Sequence, residues 1–146
     1  MMWLPPTAAA LLVLVGLWWL RGRYLTVTVS GPSMLPTYHP GERLLVRRMP
    51  PAALRAGQVV VLRAFAPPGP DQDRPSWIVK RVAAAPGDPI PRATVPALHA
   101  EPGDRVPPGR VVLLGDNPES SHDSRRSGYF NADRLLGVVV RRVGVR

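Results

Sequence analysis

The sequence predicts an all-β fold: an antiparallel β domain over residues 24–146 behind one N-terminal apolar helix with a basic flank over residues 1–23. Three observations predict it. The first 20 residues hold no charged side chain, and Arg21 and Arg23 follow at once. Beyond them the chain changes to short β-type runs, the first alternating Leu25, Val27 and Val29 with Thr26, Thr28 and Ser30, which is the period of a half-buried strand. Between the runs stand 19 Pro and 13 Gly, enough to punctuate many short strands yet below the level of a low-complexity chain. Short strands separated by such turns build barrels or sandwich-like domains.

Taken in order, the apolar start reads as a transmembrane anchor from Leu4 to Leu20, with Trp18 and Trp19 at the height of an interfacial aromatic belt. A cleaved signal peptide fits less well, because there is no basic leading region and no small-x-small cleavage site. A buried core helix is the third reading. Further strands are expected at Arg43–Arg47, Gln58–Arg63, Trp77–Val82, Arg110–Leu114 and Leu136–Arg142. Ala66–Ser76 and Pro96–Gly109 are rich in turn formers and charge and are expected as exposed loops, and Asn131–Arg134 as one helical turn.

Composition narrows the function classes. With no Cys, disulfides, thiol catalysis and thiolate metal sites are excluded, and three scattered His make a metal site unexpected; no cofactor is expected either. A net charge of +9 admits an anionic lipid or nucleic-acid partner. The arginines are spread in runs no longer than two, without interleaved aromatics, which speaks against nucleic acid and for proximity to lipid headgroups. A basic noncatalytic surface module is the alternative from a different class. Of the 19 basic residues 18 are Arg, and Lys80 is the single Lys. Arg is permanently charged, whereas burial can neutralise Lys and turn it into a base.

Three segments combine turn residues with reactive ones. In Ser30–Thr37 (SGPSMLPT), Ser33 sits on a turn stiffened by Gly31, Pro32 and Pro36, where a hydroxyl can be held exposed and its own N–H aimed at a reacting carbonyl. Lys80 lies inside the apolar run WIVKRV among Ile78, Val79 and Val82, with Arg81 expected beside it as a second cation. To work as a base it must fall from about 10.4 toward about 7–8. Gly115–Gly128 (GDNPESSHDSRRSG) is almost wholly polar, a composition that can approach a core only if its groups hydrogen-bond one another.

Together these blocks, SGPSMLPT, AGQVVVLR, VKRVAAAPGD and LGDNPESSHDSRRSG in that order, resemble the type I signal peptidase family, membrane-anchored serine endopeptidases with a Ser/Lys dyad. The resemblance covers about residues 24–143. It implies Ser33 as nucleophile, Lys80 as general base and Ser121 as the hydroxyl that orients the lysine amine. It also implies Asp116, Asp123, Arg125 and Arg81 as a supporting ionic network, and the Ser33 backbone N–H as one oxyanion donor. Met34 is expected to help seat the catalytic face on the lipid surface. Substrates implied are exported precursors with Ala-x-Ala-like cleavage sites, cut on the extracytoplasmic side. That orientation conflicts with the positive-inside rule, which would hold Arg21 and Arg23 in the cytoplasm.

The chain departs from the family pattern at several points. Gly31 stands where some members carry a Ser whose hydroxyl completes the oxyanion hole, so the second donor is open. Ala84 replaces a usual Gly, and Pro118-Glu119 a frequent Arg-Asp. Only 34 residues separate Lys80 from Gly115, which leaves no room for a large accessory domain and indicates a short, single-anchor form. Two readings of breadth stay open, a general leader peptidase and a dedicated maturation protease for one exported protein or metalloenzyme precursor. His122, beside Ser121 and Asp123, offers a rival Ser-His-Asp arrangement on Ser33, although neighbours on an extended chain face opposite ways.

Overall fold

The computed structural model describes residues 6–64 and 76–144. An N-terminal helix, α1 (Pro6–Arg23), leads directly into β1 (Tyr24–Thr28), followed by β2 (Arg43–Arg47), β3 (Val59–Arg63), β4 (Trp77–Ala84), β5 (Arg110–Leu114), the four-residue helix α2 (Ser124–Ser127), β6 (Phe130–Asn131) and β7 (Leu135–Arg142). The strands form one antiparallel sheet in the order β1-β2-β7-β3-β4-β5-β6. The last strand thus inserts between β2 and β3 and ties the two halves together. It can approach β2 closely because residue 137 is Gly: a Cβ there would stand 2.8 Å from the Arg47 carbonyl carbon.

Alternation sends the strand side chains into separate apolar clusters. On one face Val60, Leu62, Val82, Val111, Leu113 and Val138 pack together. On the other, Val27, Val29, Met34, Leu44, Val46, Val59, Val61 and Val79 do so. This is the all-β domain the alternation predicts, and the strands agree within two residues at each end. β6 is an addition, and the turn expected at Asn131–Arg134 is a 3₁₀ turn over Ala132–Arg134.

Three expectations need correction or restriction. The segment Pro96–Gly109 is exposed along most of its length, as expected, but Leu98 and Val106 are buried and join Ile90, Val95, Ala84 and Val112 in a third cluster. Its apolar residues lie eight apart with no strand or helix period, so their inward direction has no sequence signal. The loop expected at Ala66–Ser76 lies outside the described residues except for Ser76. Among the described residues no helix is long and apolar enough to cross a membrane. The expected span began at Leu4, which with Pro5 also lies outside them. Within α1 the uncharged part ends at Leu20, because Arg21 and Arg23 occupy the last turn. At 1.5 Å per residue, the uncharged stretch from Pro6 reaches about 22 Å, against about 30 Å of hydrocarbon. Its side chains from Leu11 to Leu20 are nevertheless exposed, Trp18 at 79%.

Candidate active site

Lys80 is placed by the β3–β4 pairing, directly opposite Val60. The period of two sets its side chain beside those of Ile78 and Val82, which belong with Val60 to one apolar cluster. Only 4% of Lys80 is exposed. Its Nζ reaches the polar segment after β5 and donates to Ser121 Oγ at 2.9 Å. Burial is the main influence holding the amine below its ordinary pKa; the Asp123 carboxylate pulls it back up, and the Arg125 guanidinium lowers it. The second cation is therefore Arg125. Arg81, expected in that role, alternates to the opposite side of β4.

Ser121 is one link of a buried chain. Its Oγ donates to Asp123 Oδ2 at 2.7 Å. Asp123, with no exposed surface, also accepts from the Gly115 N–H at 2.8 Å, from the Arg125 N–H at 3.1 Å and from Arg125 Nη1 at 2.8 Å. Burial pushes the Asp123 pKa up, but the hydrogen bonds from Ser121, Gly115 and Arg125, with the Arg125 charge, overcome it and hold the carboxyl below its usual range. Asp123 also caps α2, and Ser124 Oγ receives the Leu113 N–H at 2.9 Å. So the polar run approaches the core on the condition its composition sets: its buried groups satisfy one another.

A second pair lies at the rim. Arg81 grips Asp116 through two nitrogens, Nε to Oδ1 at 2.8 Å and Nη2 to Oδ2 at 2.7 Å, and Thr37 Oγ1 donates to Oδ2 at 2.5 Å. The hydrogen bond from Arg81 is the largest influence and lowers the Asp116 pKa, while the same bond raises that of Arg81. The expected ionic network of Asp116, Asp123, Arg125 and Arg81 is thus built from two ion pairs, with the Arg125 charge also lowering the Asp116 pKa.

Ser33 meets this assembly through its main chain. Its carbonyl accepts from the Asn117 N–H at 3.0 Å, and Asn117 Nδ2 donates to the Pro32 carbonyl at 3.2 Å. Gly115 is wedged between Ser33 and Ser121: a Cβ on it would stand 2.6 Å from the Ser33 carbonyl oxygen and 2.6 Å from Ser121 Cβ. Gly115, Asn117 and Thr37 lie within the polar and serine motifs, but nothing in the sequence marks what they touch. Their contacts join segments about 80 residues apart, which no local pattern announces. Gly31, two residues before Ser33, has φ +87°, a conformation that strains any side-chain-bearing residue, so glycine suits this position.

One expectation about a neighbour is overturned, and the rival arrangement on His122 finds no support. Met34 does not face lipid: it is 1% exposed and packed among Val27, Val29, Leu44, Val46 and Val79, a plug that holds the Ser33 turn to the core. His122 turns outward, opposite to Ser121, and its Nε2 pairs with Ser127 Oγ at 2.6 Å in an exposed position. It takes no part in the buried chain.

The antiparallel sheet buries one lysine against a Ser-Asp-Arg chain, with a Gly- and Pro-bracketed serine turn alongside, and so defines a β domain with a buried polar site. The family model described as "Signal peptidase, peptidase S26" matches residues 2–95 and 93–143, and the chain belongs to that family. Among curated proteins it is 35% identical over 117 residues to the mitochondrial ATP-independent inner membrane protease subunit 1b of Arabidopsis thaliana, a match covering 77% of this chain and 66% of that protein.

Proposed function

We propose that the protein is a membrane-associated serine endopeptidase that removes N-terminal signal peptides from exported precursors, with Ser33 as nucleophile and Lys80 as general base. The observation that carries the reading is a lysine amine buried in an apolar cluster and held by Ser121 at 2.9 Å, next to the segment that grips the Ser33 turn. A neutral Lys80 takes the Ser33 hydroxyl proton as Oγ adds to the scissile carbonyl; the Ser33 N–H stabilises the oxyanion. Lys80 then delivers the proton to the leaving amine, and water, deprotonated by the same amine, hydrolyses the acyl-enzyme. Ser121 fixes the amine in place, and Asp123 and Arg125 fix Ser121. Substrates carry small residues such as Ala at the first and third positions before the cut. The exposed apolar side chains of α1 hold the enzyme at the bilayer, with the β domain on the extracytoplasmic side.

The test is cleavage of an Ala-x-Ala precursor by the purified, detergent-solubilised chain. Ser33→Ala and Lys80→Arg each abolish it, since Arg cannot deprotonate; full activity in Lys80→Arg would overturn the dyad. A panel of precursors separates a general from a dedicated enzyme, and protease protection in sealed vesicles reports the orientation.

A further inference from the structure

We propose that the outer face of β1, β2 and β7 is a docking surface for an anionic phospholipid bilayer, formed by Arg43, Arg47 and Arg141 and continued by Arg48 and Arg23 to the end of α1. Register and period place the three strand arginines on one side of the sheet. In β2, Leu44 and Val46 turn into the cluster of Val27, Val29 and Met34, while Arg43, Leu45 and Arg47 turn to the other side of the sheet, Arg47 opposite Val138 at the edge of the first cluster. Arg141 of β7 stands opposite Leu45, so it shares that side and is a diagonal neighbour of Arg43. Across β1 the residues facing them are Thr28 and Tyr24, both uncharged.

The charges on this face are uncompensated. Among the described residues no carboxylate pairs with Arg23, Arg43, Arg47, Arg48 or Arg141. From residue 6 to 64 the chain carries seven Arg and one acid, Glu42, and Glu42 is engaged by Arg142 and His39. Like charges on neighbouring strand positions destabilise a sheet. Acids were available, since seven lie between residues 76 and 144, so the segregation is a property of this half of the fold.

The occupant follows from what adjoins the face. The Arg48 N–H donates to the Arg23 carbonyl at 2.8 Å, which sets the end of β2 against the end of α1. There the Arg23 guanidinium lies 4.5 Å over the Trp19 ring, an aromatic and a cation together at the point where an apolar helix meets water. An arginine surface continuous with that point meets phosphate headgroups whenever α1 is in lipid. The electrostatic face supplies a second attachment beside α1 and fixes the tilt of the β domain. This deepens the membrane association proposed above and is independent of the protease chemistry.

The experiment uses the full chain and two vesicle compositions, pure phosphatidylcholine and phosphatidylcholine with 30% phosphatidylglycerol. Binding to phosphatidylcholine reports α1; the increment on phosphatidylglycerol reports the arginine face. Each interfacial Arg strengthens binding by about fivefold, so R43Q/R47Q/R141Q loses on the order of 100-fold of that increment, salt weakens the wild-type increment, and binding to phosphatidylcholine and cleavage of a soluble peptide are unchanged. The charge-preserving R43K/R47K/R141K keeps the increment. Hydrogen exchange of the wild type needs no variant: amides of residues 24–28 and 43–48 slow on phosphatidylglycerol vesicles and not on phosphatidylcholine. Equal binding to both compositions, equal exchange, or binding instead to an anionic polymer such as heparin with no lipid preference overturns the proposal. Loss of peptide cleavage in the wild type would count against the protease reading alone.

Discussion

The two Arg–Asp pairs flank the same glycine and differ in almost everything else. Asp123 and Arg125 meet inside: the carboxylate has no exposed surface and accepts four hydrogen bonds. Asp116 and Arg81 meet at the rim, the guanidinium side chain 37% exposed. The inner pair touches the group that holds the Lys80 amine, and its two charges pull that amine's pKa in opposite directions. The outer pair touches Thr37, four residues past Ser33. Identical chemistry thus tunes the Lys80 amine on one side of Gly115 and clamps the Ser33 turn on the other, and burial separates the two.

Substitutions at the inner pair should cost most. Arg125→Gln leaves a buried carboxylate without its counter-charge, at a cost of about 3–5 kcal/mol of stability, measurable by denaturant unfolding. The sign of the pH dependence follows from the lowered Asp123 pKa. The stabilisation from the ionised carboxylate is complete above the ordinary value of 3.8 and is lost as pH falls through the folded-state value, so acid unfolding of the wild type begins in that window. Lys80 acts with the opposite preference. Its lowered pKa means that folding disfavours its charged form, a penalty present at low pH and relieved as pH climbs from the folded-state value to 10.5.

Next comes the wedge itself. Gly115→Ala forces a methyl against the Ser33 carbonyl and Ser121 Cβ, both 2.6 Å away. A shift of about 1 Å between nucleophile and base costs on the order of 10²-fold in kcat/KM. At the outer pair, Asp116→Asn keeps the shape and loses the charge, at a cost of about 1 kcal/mol in stability. Its loss of activity should exceed what that destabilisation explains, because the turn bearing Ser33 loosens. The smallest effect belongs to His122→Ala, exposed and paired with Ser127 alone: kcat/KM should stay within about twofold of wild type. A larger fall would reinstate the imidazole.

The sheet was legible because short apolar runs between turn signals are a local property: β2 and β5 are found at the residues those runs mark. β4 runs on to Ala84 because pairing with Val112 across a bulge extends it, although Ala-Ala carries no strand preference. Within the exposed Pro96–Gly109 segment, Leu98 and Val106 are buried by tertiary contact, without periodicity to announce them. At the site, Ser33, Lys80 and the Ser121–Arg125 block were legible as residues. What they touch was not. Sequence adjacency suggested Arg81 as the cation near Lys80, but the strand period turns it away, and the fold supplies Arg125 instead. Met34 likewise looked like a surface contact from its place beside Ser33 and is a core residue.

The measurement that bears most directly on the role of Lys80 is the acid limb of the kcat/KM–pH profile in the wild type, Asp123→Asn and Arg125→Gln. In the wild type the rate rises with pH as Lys80 loses its proton, below the ordinary lysine value. Asp123→Asn removes the charge that raises the Lys80 pKa, so the limb moves to lower pH; Arg125→Gln removes the one that lowers it, so the limb moves higher. Opposite displacements in the two variants are the predicted result. A limb near 6.5 that moves with neither substitution and disappears in His122→Ala would contradict it.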